Sequence, residues 1–355
     1  MRKYTVGILG ATGAVGQAML LGLEERNFPV KQIRLFASAR SSGKTMKFKG
    51  EDLVIEETCE TCFKGCDIVL GAVENEVSKR FAPFIKEANA IYIDNSSAFR
   101  LYDDVPLVVP EVNGEDVLKH NGIIANPNCS TIIGCVAVNA IHKVNPIQSM
   151  IVSTYQAVSG AGVNGMVEYE NQLHQIANDQ PVEVKFFPYQ IASNLIPQIG
   201  GFGDNGYTSE EMKMQNEGRR ILHAPDLLVN CTCVRVPVLR SHSLSMTLNL
   251  ENEMDVNEAK ELINHAKGCK LVDNPANKEY PMPLDTSDQD LVYVGRIRKD
   301  LCNDKGITLW CCGDQIRKGA AINAIQIAEK CIESWKKFCP DYEIKRWDES
   351  NLNID

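Results

Sequence analysis

Two periodicities of apolar residues alternate along the first third of the chain. Thr5 to Leu9 is a short, almost wholly apolar run and predicts a buried strand. Ala14 to Arg26 carries its apolar residues at helical spacing. Ile33 to Ala37, Ile68 to Gly71, Ile91 to Asp94 and Ile123 to Ala125 read as further strands, with a helix from Glu76 to Ala88. Strands alternating with helices predict a mainly parallel, doubly wound sheet. From Ile147 the texture changes. Strand-like runs appear at Met150 to Gln156, Val229 to Arg235, Leu244 to Leu250, Leu291 to Arg298 and Ile307 to Cys312. Helical patterns at Gly165 to Ala177, Ser209 to Leu222 and Asn257 to Ala266 lie between them, and Gly200 to Gly206 reads as a loop. This predicts an α+β region, its antiparallel or mixed sheet covered by helices. A last helix runs from about Ala320 to Phe338.

A chain of 355 residues exceeds what one core usually serves, so two domains are expected. The net charge of −9 and the lack of a long basic run argue against a nucleic-acid or anionic-membrane partner. Met1 to Leu9 reads as a strand rather than a signal peptide, and no window reaches the roughly 20 apolar residues that span a bilayer. Thirteen cysteines, scattered and odd in number, fit reduced thiols and a cytoplasmic location. Cys59-x-x-Cys62, Cys231-x-Cys233 and Cys311-Cys312 lack a second pair at metal-binding spacing and read as packing residues, so no metal is expected.

One cysteine has a different setting. Asn126-Pro-Asn-Cys129-Ser-Thr places a thiol between a turn and an apolar helical run, Ile132 to Val144. The positive end of a helix dipole favours the thiolate, the nucleophilic form. A glycine motif, Gly10-Ala-Thr-Gly13-Ala-Val-Gly16, follows the first strand and opens the first helix, as a pyrophosphate cradle does. Where a NAD site usually carries an acid, after the second strand, the chain reads Ala37-Ser-Ala-Arg40-Ser41-Ser-Gly-Lys44. Two cations and no acid suit a 2′-phosphate, with Arg40 and Ser41 as donors, so NADP is expected.

Arg235 and His242 stand seven residues apart at the ends of two strand-like runs. An arginine can grip a carboxylate with two parallel hydrogen bonds, and a histidine can exchange protons near neutrality. Arg100 lies beyond a strand's carboxyl end, where ligands of such sheets bind. Glu210 and Lys213 share a helix face, and spacing alone favours a surface ion pair.

Taken together, these landmarks, with Gln156-Ala-Val-Ser-Gly160-Ala-Gly162 and Arg235-Val-Pro-Val, resemble the aspartate-β-semialdehyde dehydrogenases of bacteria along nearly the whole chain. The resemblance implies an α/β protein. A Rossmann-type doubly wound NADP-binding domain would comprise residues 1–128 plus 317–355. An α+β substrate and dimerisation domain with a mixed sheet would comprise 129–316. It implies Cys129 as the nucleophile that carries a thioester, His242 as acid/base, and Gln156 as the group that orients the substrate. Arg235 would hold the substrate α-carboxylate, Glu210 would face its ammonium group, and Arg100 and Lys213 would bind phosphate. Gly10, Thr12, Gly13, Ala14, Val15, Arg40, Ser41, Ser159 and Gly160 would contact NADP. Gln315 stands where similar enzymes often carry the Asn that reaches the nicotinamide. The implied reaction reduces L-4-aspartyl phosphate to L-aspartate-4-semialdehyde and phosphate, in a homodimer serving lysine, threonine and methionine biosynthesis. Two alternatives are N-acetyl-γ-glutamyl-phosphate reductase, whose acylated substrate has no ammonium for Glu210 to meet, and a non-catalytic NADP-binding sensor on the same fold.

Overall fold

Tyr4–Leu9 (β1) is buried at every position, as a central strand covered on both faces must be. In the computed structural model, which describes residues 2–338, the first sheet is built around it. Ala14–Glu25 (α1), Val30–Ala37 (β2), Thr45–Phe48 (β3), Glu51–Glu57 (β4), Ile68–Gly71 (β5), Asn75–Glu87 (α2), Ile91–Asp94 (β6), Pro110–Asn113 (α3) and Ile123–Ala125 (β7) follow. The seven strands run in the order β3-β4-β2-β1-β5-β6-β7. All pairs are parallel except the β3–β4 hairpin. The sequence reading missed that hairpin. Its turn, Lys49-Gly50, has positive φ at both residues, as two-residue hairpins prefer, but lacks the usual Asn-Gly signature.

The second sheet begins after Cys129–Val144 (α4). Its elements are Ile147–Gln156 (β8), Val163–Ala177 (α5), Ser209–Ile221 (α6), Leu228–Arg235 (β9), His242–Leu250 (β10), Val256–Asn264 (α7), Cys269–Leu271 (β11), Pro283–Thr286 (α8), Val292–Lys299 (β12) and Gly306–Gly313 (β13). The strand order is β11-β12-β13-β10-β8-β9. The sheet is mixed: β11–β12 and β8–β9 are parallel, and the other pairs antiparallel. Helix α4 packs across β8, β10, β12 and β13. The opposite face lies open, with Ile151 62% exposed and Tyr155 beside Trp310.

The final helix, Ile322–Phe338 (α9), returns to the first sheet. Ile322, Ile325, Ala328 and Ile332 join the core that contains Val6, Ile8, Leu20 and Leu23. Arg317–Ala321 ahead of it is a π-helical turn rather than α-helix, so the expected single helix is two pieces. Residues 339–355, which the expected cofactor domain includes, lie outside the described residues. Among the described residues, no helix is long and apolar enough to cross a membrane.

Candidate active site

The loop that carries Cys129 is fixed by one asparagine. Asn128 is the N-cap of α4: its Oδ1 accepts from Ser130 N at 3.1 Å and Thr131 N at 3.3 Å. Its Nδ2 donates to Glu210 Oε1 at 3.0 Å and its backbone N–H to Glu217 Oε2 at 2.7 Å. Cys129 is thereby held at the first position of the helix. Gly319 of the π-helical turn lies against it, so closely that a Cβ there would sit 2.8 Å from Cys129 Cβ. Burial and the nearby Glu210 charge push the Cys129 thiol up to about 11, against the pull of Lys213, Arg100 and Arg235. The helix-dipole argument named a favourable field, and the fold sets a larger opposing cost of desolvation against it. The thiol is protonated at neutral pH.

Glu210 is buried rather than part of a surface pair. It accepts from Lys213 Nζ at 2.9 Å, from Asn128, and from Gln156 Nε2 at 3.1 Å. Burial works against its charge, but Lys213 and these hydrogen bonds overcome that and hold its pKa at about 2. Helix α6 is aimed by a capping box, in which Thr208 and Glu211 each accept the other's backbone N–H. Glu217, seven residues beyond Glu210 on the same helix face, was not singled out from the sequence; the i,i+7 spacing was the signal. It pairs with Arg100 Nη1 at 3.0 Å. Arg100 Nη2 donates to Asn95 O at 2.8 Å, while its buried Nε has no partner.

Arg235 closes β9 and His242 opens β10. Arg235 Nη1 donates to Ala157 O at 2.7 Å, and the backbone N–H of Ala157 donates to His242 Nδ1 at 3.1 Å. A ring nitrogen that accepts an N–H carries no proton, so the neutral imidazole of His242 bears its proton on Nε2. Burial and the Arg235 charge push its pKa down to about 3. His242 therefore meets the site as a neutral hydrogen-bond donor, and serving as a base at Nε2 would require the opposite tautomer. Gln156 Nε2 lies 3.5 Å from His242 Nε2, and Gln156 Oε1 accepts from Thr154 Oγ1 at 2.9 Å. Gly160 sits against the same two residues; a Cβ there would approach Arg235 Nη1 to 3.0 Å.

The nucleotide cradle forms at the β1–α1 turn. Gly10 has φ +86°, and a Cβ on it would meet Ala72 O at 2.4 Å. Gly13 is the N-cap of α1 and supplies no side-chain cap, and the first turn holds no acid. The first amides, from Ala14 and Val15 onward, are thus left for an anion, with Thr12 exposed beside them. These features fit a dinucleotide pyrophosphate. Arg40 is exposed and Ser41 buried in the turn after β2. On the far side, Gln315 accepts from Ser241 N at 2.8 Å and donates to Ser159 Oγ, which locks two of the residues expected to contact the cofactor to one another.

The chain is similar to known proteins along most of its length. The semialdehyde dehydrogenase NAD binding domain matches residues 5–120, and the semialdehyde dehydrogenase dimerisation domain matches 138–318. The aspartate-semialdehyde dehydrogenase of Synechocystis sp. is 48% identical over 92% of this chain and 97% of its own length. That of Bacillus subtilis is 47% identical over 92% and 97%. The crystal structure of aspartate semialdehyde dehydrogenase II from Vibrio cholerae complexed with ASA superposes with a TM-score of 0.92 at 42% identity, covering 94% of this chain and all of that one (100%). The Candida albicans enzyme, solved with NADP, gives a TM-score of 0.71 at 26% identity over 93% and 99%. The chain belongs to the aspartate-semialdehyde dehydrogenase family.

Proposed function

We propose that this chain reduces L-4-aspartyl phosphate to L-aspartate-4-semialdehyde with NADPH, releasing phosphate, through a thioester on Cys129. The observation that carries the reading is the convergence of Glu210, Lys213, Arg100 and Arg235 on one thiol. A zwitterionic amino acid with a side-chain phosphate needs that set: arginine for the α-carboxylate, a carboxylate for the ammonium, and cations for the phosphate. Arg235 takes the carboxylate, Glu210 the ammonium, and Lys213 with Arg100 the phosphate. An N-acylated substrate would leave the buried Glu210 charge without a cationic partner from the ligand.

Cys129 Sγ attacks the acyl carbon, the acyl–phosphate C–O bond breaks, and the thiol proton leaves with the phosphate. Gln156 holds the carbonyl group in line. NADPH, when bound, supplies the hydride. The neutral His242 donates from Nε2 to the oxyanion that develops on the former carbonyl, a role a neutral imidazole of depressed pKa can fill. Collapse of that thiohemiacetal breaks the C–S bond, frees the aldehyde and returns the thiolate, which takes up a proton.

NADP rather than NAD is favoured by the missing acid after β2 and by the exposed cation at Arg40. The glycine turn, Ser159, Gly160 and Gln315 complete that site. We assign residues 1–128 plus 317–355 to cofactor binding and 129–316 to catalysis and dimerisation, in a cytoplasmic homodimer. The open face of the second sheet, with Ile151, Tyr155 and Trp310, suits a second copy of the chain. The test is NADP⁺ reduction, followed by nicotinamide absorbance, with L-aspartate-β-semialdehyde, with and without phosphate, and with NAD⁺ in place of NADP⁺. Phosphate-dependent reduction of NADP⁺ is expected. Turnover only with the N-acetylglutamyl semialdehyde, or none despite NADPH binding, would overturn the reading.

A further inference from the structure

Lys318 is fully buried, at 0% exposure. All three of its ammonium hydrogens find oxygen acceptors: Glu111 Oε2 at 2.6 Å, Gln326 Oε1 at 2.7 Å and Asn323 Oδ1 at 3.0 Å. Glu111 Oε1 accepts in turn from Gln326 Nε2 at 2.9 Å. The network continues to the nucleophile loop. Asn323 Nδ2 donates to Asn126 Oδ1 at 2.7 Å, and Asn126 Nδ2 donates to Asn95 Oδ1 at 2.5 Å and to Ala320 O at 3.3 Å. Asn95 is the residue whose carbonyl orients Arg100.

Two features separate this cluster from an ordinary ion pair. Lys318 stands in a π-helical turn, a geometry frequent at functional sites. Its neighbour Gly319 touches Cys129, with no room for even one added carbon. A shift of the turn therefore moves the wall against the Cys129 Cα and Cβ that carry the sulfur. Arg317 pins the other side of the turn to Asp290 and Glu25, each at 2.6 Å.

We propose that the Lys318–Glu111 pair is a positioning device for the reaction: it fixes the π-helical turn so that Gly319 holds Cys129 in line with the substrate carbonyl. The inference rests on the reading of Cys129 as nucleophile. A buried ion pair is weak evidence for stability, because apolar or neutral replacements of similar volume are often tolerated. Misplacing a reacting atom by about 1 Å can cost about 10²-fold in rate.

The test compares wild type with Lys318→Met/Glu111→Gln, which removes both charges, and with Glu111→Gln, which removes one and keeps the shape. Turnover is measured per titratable Cys129 thiol, together with the KM for NADPH and for the semialdehyde and the rate of iodoacetamide alkylation. The double variant is expected to lose about 10- to 100-fold in kcat, with altered thiol alkylation and both KM values within about twofold. Glu111→Gln alone is expected to fall between, and decides the matter if the double variant does not fold. Wild-type kcat per reactive thiol in the folded variants, or a loss that merely follows the fraction of folded protein, would overturn the proposal. Alkylated wild-type enzyme separates the two readings. If it stays active, the nucleophile assignment fails; if it is dead and the variants are unchanged, only the positioning role fails.

Discussion

The cluster around Cys129 and the turn after β2 carry comparable charge and are built on opposite plans. Around Cys129 the ionised groups are engaged within the protein and, Lys213 apart, buried: Glu210 by Lys213, Asn128 and Gln156, Arg100 by Glu217, and Arg235 by Ala157 O. Around Arg40 the side chains are mostly exposed, and among the described residues neither Arg40 nor Lys44 has an ion-pair partner. The first region is organised before any ligand arrives, as electrostatic catalysis requires. The second leaves its charge unspent, as recognition of an anionic group requires. Substitutions should therefore act on rate in the first region and on cofactor affinity in the second.

The sharpest way to break that contrast is Cys129→Ser. Turnover should fall by at least about 10⁴-fold, as for other nucleophile knockouts, while NADPH affinity by fluorescence titration stays within about twofold. A parallel loss of NADPH binding would show the regions to be one unit. Next in size is Arg235→Lys, which keeps charge but not the planar fork. We expect kcat/KM for the semialdehyde to drop on the order of 10²-fold, with the KM for NADP⁺ unchanged; wild-type kinetics would remove Arg235 from the carboxylate site.

Acid sensitivity probes the buried region alone. His242 is neutral in the folded chain down to about 3 against an ordinary value of 6.5, so the unfolded chain gains a proton first as pH falls. The stability tied to the neutral ring is present above 6.5 and is lost as pH drops toward about 3. Glu210, held at about 2 against 4.5, contributes stability that is lost only below 4.5. Between pH 6.5 and 4.5 the His242 effect thus stands apart from that of Glu210, while His120 and His142, also lowered by burial, act alike in wild type and variant. Melting temperature in that window should fall less steeply in His242→Asn than in wild type, and equal slopes would contradict the buried neutral ring. The smallest effect belongs to the exposed turn. Arg40→Ala should raise the KM for NADP⁺ about tenfold, the worth of one charged hydrogen bond, and leave NAD⁺ kinetics and the melting temperature alone. An equal loss with both cofactors would assign Arg40 elsewhere.

Most strands of both sheets were legible because they are near-continuous apolar runs, even the short β5, β6 and β7; β11, three residues with none fully buried, was not. The hairpin Thr45–Glu57 was not, because it is half exposed and its Lys49-Gly50 turn takes positive φ without the usual residues. At the site, Cys129, Arg235 and His242 announced themselves by position at element ends. Glu217 and Lys318 did not, since their work consists of bonds to residues between 5 and 207 positions away, and the hold of Asn128 on Glu210 spans 82 positions.

The sequence alone determined which local elements form and which chemical groups are present, because periodicity, capping and the glycine turn are short-range matters. It also placed the thiol at a helix start. Only the tertiary structure decided the protonation states. A helix terminus lowers a thiol's pKa and a neighbouring carboxylate raises it, but the outcome for Cys129 turns on burial, which depends on α6, β9 and the π-helical turn closing over it. The same holds for Glu210. Its spacing to Lys213 is that of a surface pair, and the packing of α6 against β9 buried its carboxylate while Lys213 stays partly exposed.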